Sequence, residues 1–215
     1  MKFFTIYFIV LCAFFKTTAQ SVDEDLLLIR ERMMLIQEAT AEATLNLDID
    51  FINMPEKYAL LHYQKGKPLH YSSDQFIVIP KRGLDFTWSE LFNHEFMTVD
   101  RGEDTLEGRL LKVLNVIPLD KKADFAIMTL KIDVETKQIL YSEITTKNEG
   151  TFNLQFGYHK AGALPSNVTV EFELERIRIP LNFMGKDLEI DKDEIKSSGP
   201  KKGKIFLALN WTYIE

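Results

Sequence analysis

The chain has almost no cysteine and no motif of the common catalytic folds. Its 215 residues include one cysteine, Cys12, with ten glycines and seven prolines. A single thiol excludes an intramolecular disulfide and a cysteine-based metal site. The sequence also lacks a glycine-rich phosphate loop and the G-x-S-x-G motif of esterases and lipases. Stability therefore has to come from a hydrophobic core.

The chain has few basic residues, and they are not clustered. The formal net charge is −6, and it becomes −8 when Lys2 and Lys16 are removed with residues 1–20. The short run of Lys201, Lys202 and Lys204 next to a Gly-Pro turn is typical of a solvated turn. Because nucleic-acid-binding domains carry basic patches, we expect no nucleic acid partner.

A hydrophobic run long enough to span a membrane is also missing. The longest run, about thirteen residues from Phe3 to Phe15, is shorter than the roughly twenty that a membrane-spanning helix needs. It follows Lys2 and precedes small residues, a pattern that predicts a secretory signal peptide over residues 1–20. An uncleaved anchor is the alternative. We expect an exported protein with a single domain over residues 21–215.

The four histidines show no metal-ligand spacing. His94-Glu95 lacks the second histidine of HExxH, and His62, His70 and His159 have no third ligand nearby in the sequence. The acidic residues on the strands alternate with apolar ones, which indicates a solvated face instead of a pair of catalytic carboxylates. We predict a non-enzymatic protein without a metal or cofactor.

The chain is rich in segments that alternate apolar and polar residues. Residues 45–51, 151–158, 168–175 and 205–213 all follow this period of two, which predicts antiparallel strands with one buried face. The predicted strands, about eleven in number, are 45–53, 57–63, 68–71, 76–79, 96–100, 108–117, 125–134, 138–147, 151–159, 167–179 and 204–213.

One amphipathic helix is predicted at residues 21–43. Ser21 and Glu24 have the spacing of a capping box, and apolar residues recur at helical intervals. The pattern favours a core helix over a mobile lid. Short helices are also predicted at 86–94 and 118–124, and a change of strand parity predicts a bulge near Glu175.

One long helix covers only a few strands, so most of the apolar face needs other cover. The sheet can form a sandwich, close as a barrel, or curl part-way around the helix and leave an apolar cavity, and a period of two fits all three. In the last case we expect a lipid cavity lined by inward-facing residues, which are Leu47, Ile49, Phe51, Phe76, Val78, Leu130, Ile132, Phe152, Leu154, Phe156, Val170 and Phe172.

The order of these elements resembles the outer-membrane lipoprotein carrier and sorting family (LolA/LolB-like). The local sequence is also similar to that of LolA-like sorting proteins, and the stretch Ile132 to Phe152 carries the most specific pattern. The similar segments are FIVIPKRGLDFTWSELF at 76–92, VIPL at 116–119, LKIDVETKQILYSEITTKNEGTF at 130–152 and YHKAGALPSNVTVEF at 158–172.

This resemblance implies a mainly β fold with α-helix. Its curved antiparallel sheet of about eleven strands forms an incomplete barrel around the N-terminal helix. It implies a monomeric carrier in the periplasm of a Gram-negative-type envelope, binding lipidated proteins or free lipid between an inner-membrane donor and an outer-membrane acceptor. Family carriers hold a helical lid with an arginine on an inner strand, and Arg82 and Arg109 are the nearest candidates by region.

The alternative is an envelope β-protein with a filled core that acts through its outer surface, as an adhesin, scaffold or lipid sensor. It would have no cavity, whereas a carrier would take up acyl chains.

Overall fold

The computed structural model describes residues 22–67, 69–73, 89–148, 150–159, 162–174, 189–191 and 201–215. Two helices and twelve strands lie within these residues. The helices are α1 (Glu24–Leu35) and α2 (Ser89–Phe92). The strands are β1 Glu38–Asp48, β2 Ile52–Asn53, β3 Lys57–Gln64, β4 His70–Ser72, β5 Phe96–Leu106, β6 Arg109–Pro118, β7 Phe125–Asp133, β8 Ile139–Thr146, β9 Gly150–Gly157, β10 Asn167–Leu174, β11 Glu189–Ile190 and β12 Lys201–Ile214.

Ten strands form one antiparallel sheet in the order β4-β3-β1-β12-β10-β9-β8-β7-β6-β5. From β5 to β10 each strand pairs with its neighbour in the chain, and β12 then joins β10 to β1. Within the described residues the sheet does not close, because β4 and β5 are its two edges. The two-stranded sheet of β2 and β11 is separate. The predicted open, mainly β architecture is confirmed.

The sheet curls around helix α1. At the helix start, the Asp23 amide donates to Thr98 Oγ1 on edge strand β5 at 2.9 Å. At the helix end, Lys65 Nζ, in the turn after β3, donates to the Met34 carbonyl at 2.6 Å. A flat sheet would separate β5 from β3 by about 38 Å, whereas a 12-residue helix is only about 18 Å long. Both contacts are met because the sheet bends into a half-barrel.

Small side chains on β1 let the sheet approach the helix. Ala39, Ala41 and Ala43 all point to the concave side and are at most 3% exposed. They belong to the same buried cluster as Leu26 and Ile29 of α1. Alanines at alternate positions leave the space that the helix fills, so the helix and the strand specify each other.

The predicted helix over residues 21–43 is wrong in its second half. The helix ends at Leu35, and residues from Glu38 onward form β1. Alanine and glutamate favour a helix locally, but β1 pairs with both β3 and β12, and these ladders outweigh the local preference. The cap also differs, because the side chain of Asp23 accepts from the Asp25 amide at 3.0 Å. Ser21 lies outside the described residues.

The meander at the centre of the chain is confirmed. The strands predicted at 108–117, 125–134, 138–147 and 151–159 agree with β6 to β9 within about two residues. The short helix predicted at 86–94 corresponds to α2, but residues 118–124 form turns instead of a helix. The strand at 76–79 and the bulge near Glu175 lie outside the described residues.

We predict that Gly203→Ala destabilises the fold by about 1–3 kcal/mol through overpacking. A Cβ at Gly203 would lie 2.7 Å from both Ile49 Cγ1 and Phe172 Cζ, closer than real Cβ contacts. Gly162→Ala is the matched control, because its Cβ meets other atoms only at 3.5 Å or beyond. Denaturant unfolding measures both variants. Equal effects of the two substitutions would contradict the prediction.

Candidate functional site

Most of the predicted cavity residues lie together on the concave face of the half-barrel. They come from β7, β9 and β10, with β8 between β7 and β9, and each is at most 6% exposed. The residues in this buried cluster are Leu130, Ile132, Phe152, Leu154, Phe156 and Val170. Leu47 and Phe172 pack against it and are partly buried. The structure thus brings these eight side chains to one apolar face.

Of the remaining four predicted residues, two lie outside the main cluster and two are not among the described residues. Ile49 and Phe51 are buried, but they follow β1 at the approach to β2 and do not belong to the main cluster. Phe76 and Val78 lie outside the described residues. That these twelve residues line a lipid cavity stays a prediction.

Helix α1 occupies the concave face in this structure. Leu26, Ile29 and Met33 form its buried side and join the cluster from the sheet. A half-open space of about 10 Å³ lies between the second half of the helix and the sheet, beside Ile139 and Tyr158. That volume holds about one water molecule. An acyl chain would therefore need the helix, or another part of the cover, to move.

Charged side chains fix the start of the helix to the sheet. Lys112 Nζ on β6 lies 2.6 Å from Asp23 Oδ2 and 3.4 Å from Asp25 Oδ2. Lys137 Nζ, in the β7–β8 turn, lies 2.9 Å from Asp25 Oδ1. We call these four residues the clasp. All four side chains are between 15% and 28% exposed, so the clasp is partly shielded from water.

The pKa shifts in the clasp follow from this pairing. Burial alone would raise the pKa of Asp25, but hydrogen bonds and charge from Lys137 and Lys112 outweigh it and lower the pKa below the usual 3.8. Burial alone would lower the pKa of Lys112, but Asp23 and Asp25 outweigh it and raise the pKa above the usual 10.5. Asp25 and Lys112 therefore stay charged throughout the neutral range.

The end of the helix is held mainly through backbone carbonyls. Arg32 Nη1 donates to the Thr136 carbonyl at 2.9 Å, and Lys65 Nζ donates to the Met34 carbonyl at 2.6 Å. Only Ile36 and Gln37 separate α1 from β1. The outer side of this end is apolar and open to solvent, with Leu35 76% exposed. The helix is thus a short element over the apolar face, held at both ends by hydrogen bonds and ion pairs.

Of the two arginines that the resemblance implies as candidates, Arg109 does not hold the helix. Arg109 Nη1 lies 3.6 Å from Asp133 Oδ2 and is 57% exposed, so it stabilises the β6–β7 region instead. Arg82 lies outside the described residues. Among the described residues, Lys112, Lys137 and Lys65 provide the cationic contacts from the sheet and its turns to the helix. The sequence contains one feature that points to Lys112, which is the one charged residue in the apolar stretch from Leu110 to Leu114.

An open cleft of about 570 Å³ lies beside the clasp. Its lining is largely charged and includes Asp100 and Glu103 of β5 together with Asp25, Lys112 and Lys137. This polarity does not suit an acyl chain, so the concave face under the helix is the better candidate site. Within the described ranges, no cluster of His, Cys, Asp or Glu side chains could hold a metal ion. No helix there is long and apolar enough to cross a bilayer.

No protein-family model and no curated protein sequence matches the chain. Several solved structures resemble it. One, from Vibrio parahaemolyticus, is a domain assigned as an outer membrane lipoprotein-sorting protein, with 12% identity and a TM-score of 0.46, covering 89% of this chain and 90% of that chain. A LolA superfamily protein from Nitrosomonas europaea has 8% identity and a TM-score of 0.49, covering 88% and 92%.

A DUF1329 family protein from Desulfovibrio piger has 11% identity and a TM-score of 0.45, covering 89% of this chain and 90% of that chain. Because all three identities are 12% or lower, the function has to be inferred from this chain's own residues.

We predict that Lys112→Met destabilises the protein by about 1–2 kcal/mol, because it leaves Asp23 partly buried without its cation. The estimate is below that for a fully buried pair, since the clasp retains some contact with water. Lys202→Met is the control. Its pair with Glu173, at 3.3 Å, is more than half exposed on both sides. Thermal or denaturant unfolding should show a loss for Lys112→Met and no resolvable change for Lys202→Met.

We also predict that the stabilisation by Asp25 is lost in acid. Its pKa is lowered on folding, so the contribution is complete above the ordinary value of 3.8 and declines as the pH falls towards the folded-state pKa. Asp25→Asn should therefore be less stable than the parent protein near neutral pH, and the difference should shrink below pH 3.8. A difference in unfolding free energy that does not vary with pH would contradict this.

Proposed function

We propose that this protein is a non-enzymatic periplasmic binding protein that holds acyl chains on the concave face of its half-barrel. The observation that carries the proposal is the way in which helix α1 covers the concave face and is attached to the sheet. A short helix, joined to β1 by Ile36 and Gln37, shields a continuous apolar face and is fastened by polar contacts at both ends. These ion pairs and hydrogen bonds can break while the strands of the sheet stay paired.

The energetics favour exchange between the helix and an acyl chain. Leu26, Ile29, Met33 and Ile36 are buried on the helix side, and full burial of four such side chains is worth about 6–12 kcal/mol. Burying about fifteen methylene groups of a lipid is worth about 12 kcal/mol on the same scale. The burial free energies of the four helix side chains and of the lipid chain are therefore comparable, so a lipid can replace the helix on the concave face without a large net cost.

The predicted signal peptide over residues 1–20 supports export, and the resemblance to the lipoprotein carrier family implies the periplasm of a Gram-negative-type envelope as the location. The partners that fit this role are lipidated proteins or free lipid as cargo, with an inner-membrane donor and an outer-membrane acceptor. We infer delivery towards the outer membrane and a monomeric, single-domain carrier over residues 21–215. The open polar cleft beside the clasp offers charged groups that a donor or acceptor would have to contact to release the helix.

A second candidate function has its own supporting observation. Side chains of α1 and of the sheet form one buried cluster on the concave face, and the half-open space beside the second half of the helix is only about 10 Å³. A filled core fits an envelope β-protein that acts through its outer surface, as an adhesin, scaffold or lipid sensor. The two candidates differ in one property, since only the carrier takes up acyl chains.

A disulfide between the helix and β5 tests whether the helix has to move. The Asp23 amide nitrogen lies 2.9 Å from Thr98 Oγ1. This contact keeps the two Cα atoms within the roughly 7 Å that a disulfide can span, so Asp23→Cys with Thr98→Cys can be cross-linked by oxidation. Cys12 is the one native cysteine and lies in the predicted signal segment, so protein starting at Ser21 carries only the introduced pair. We expect the oxidised variant to bind no palmitoyl lysophosphatidylcholine by native mass spectrometry and the reduced form to bind it.

The reduced form of the same variant is the control, because it carries both substitutions without the cross-link. Equal binding by the oxidised and reduced forms would show that lipid enters without displacement of α1. Binding by neither form, nor by the parent protein, would reject the carrier and favour the surface-acting alternative.

A further inference from the structure

A buried hydroxyl lies without a partner in the middle of the concave face. Ser142, on β8, is 0% exposed, and its Oγ has no hydrogen-bond partner among the described residues. Its register neighbours are Leu130 on β7 and Leu154 on β9, both members of the apolar cluster under the helix. The hydroxyl is therefore on the concave side, surrounded by leucines on both flanking strands.

Two other buried hydroxyls, on or next to this sheet, have partners in hydrogen bonds to backbone carbonyls. Ser166 Oγ donates to the Gly157 carbonyl at 3.2 Å, and Thr146 Oγ1 donates to the Gly150 carbonyl at 2.9 Å. Unpaired polar atoms also occur on Arg30 and Thr136, but these lie on the helix and in a turn and are only partly buried. Because burying an unpaired hydroxyl costs stability, Ser142 calls for a specific explanation.

The surroundings of Ser142 restrict what it could bind. Both cross-strand neighbours are leucines, so an anionic group at this point would be buried beside apolar side chains on both strands. A neutral acceptor avoids this cost. Ester and amide carbonyls are the neutral acceptors that an acyl chain carries, and its hydrocarbon tail would lie against the same leucines.

We propose that Ser142 donates a hydrogen bond to the carbonyl oxygen of a bound acyl ester or amide. The inference rests on the proposed function and extends it from apolar chains in general to chains that carry a carbonyl group. It assigns Ser142 as a residue that determines specificity and positions the chain along β8. The unliganded protein then carries an unsatisfied hydroxyl as the consequence of keeping this donor available.

Two lipids that differ only in the carbonyl test the proposal. These are palmitoyl lysophosphatidylcholine, which is an ester, and its hexadecyl ether analogue. We expect the parent protein to bind the ester about fivefold more tightly, the effect of one net hydrogen bond. Ser142→Ala should bind both lipids with the affinity that the parent has for the ether. Its melting temperature without lipid should equal or exceed that of the parent.

Ser166→Ala is the matched control, because it also removes a buried serine hydroxyl but one that is already paired. It should lower the melting temperature and keep the preference for the ester. Equal affinity of the parent for both lipids, or an ester preference retained in Ser142→Ala, would overturn the proposal. If Ser142→Ala does not fold, the ratio of the parent protein's affinities for the ester and the ether decides. Failure of the parent to bind either lipid would instead reject the proposed function itself.

Discussion

The burial of one apolar sheet face is the constraint on which the rest of the structure depends. Ten strands place Leu, Ile, Val and Phe side chains on a single concave side, and their backbone ladders are already complete. The face can be removed from water only by something laid across it. In this structure that cover includes α1, which reaches from edge strand β5 to the turn after β3 and thereby fixes how far the sheet curls.

The way the cover is attached separates it from an ordinary core helix. Its apolar side joins the core through Leu26, Ile29 and Met33, but its position is fixed by the clasp at one end and by carbonyl contacts at the other. Ion pairs with partial exposure to water are easily exchanged for other charged partners. A helix fastened in this way can remain in place in the free protein and still leave when a competing apolar chain and a charged partner are both present.

The sequence is most predictive where strand pattern and turn chemistry agree. The meander from β6 to β9 follows its alternating residues closely, because turns such as that near Gly150 fix the register. The sequence does not predict the start of β1, because Ala39, Ala41 and Ala43 favour a helix locally, whereas the ladders with β3 and β12 make them a strand. The clasp depends on distant residues meeting in space, so Asp25 and Lys112 give no joint signal along the chain.

The central claim is that α1 leaves the concave face when an acyl chain occupies it. Hydrogen–deuterium exchange of the protein with and without palmitoyl lysophosphatidylcholine tests this directly, since it reports the opening of each element separately. The account predicts that amides of residues Glu24–Leu35 lose protection when lipid binds, while those of β7 to β9 keep it. Bound lipid with unchanged or increased protection of α1 would contradict it.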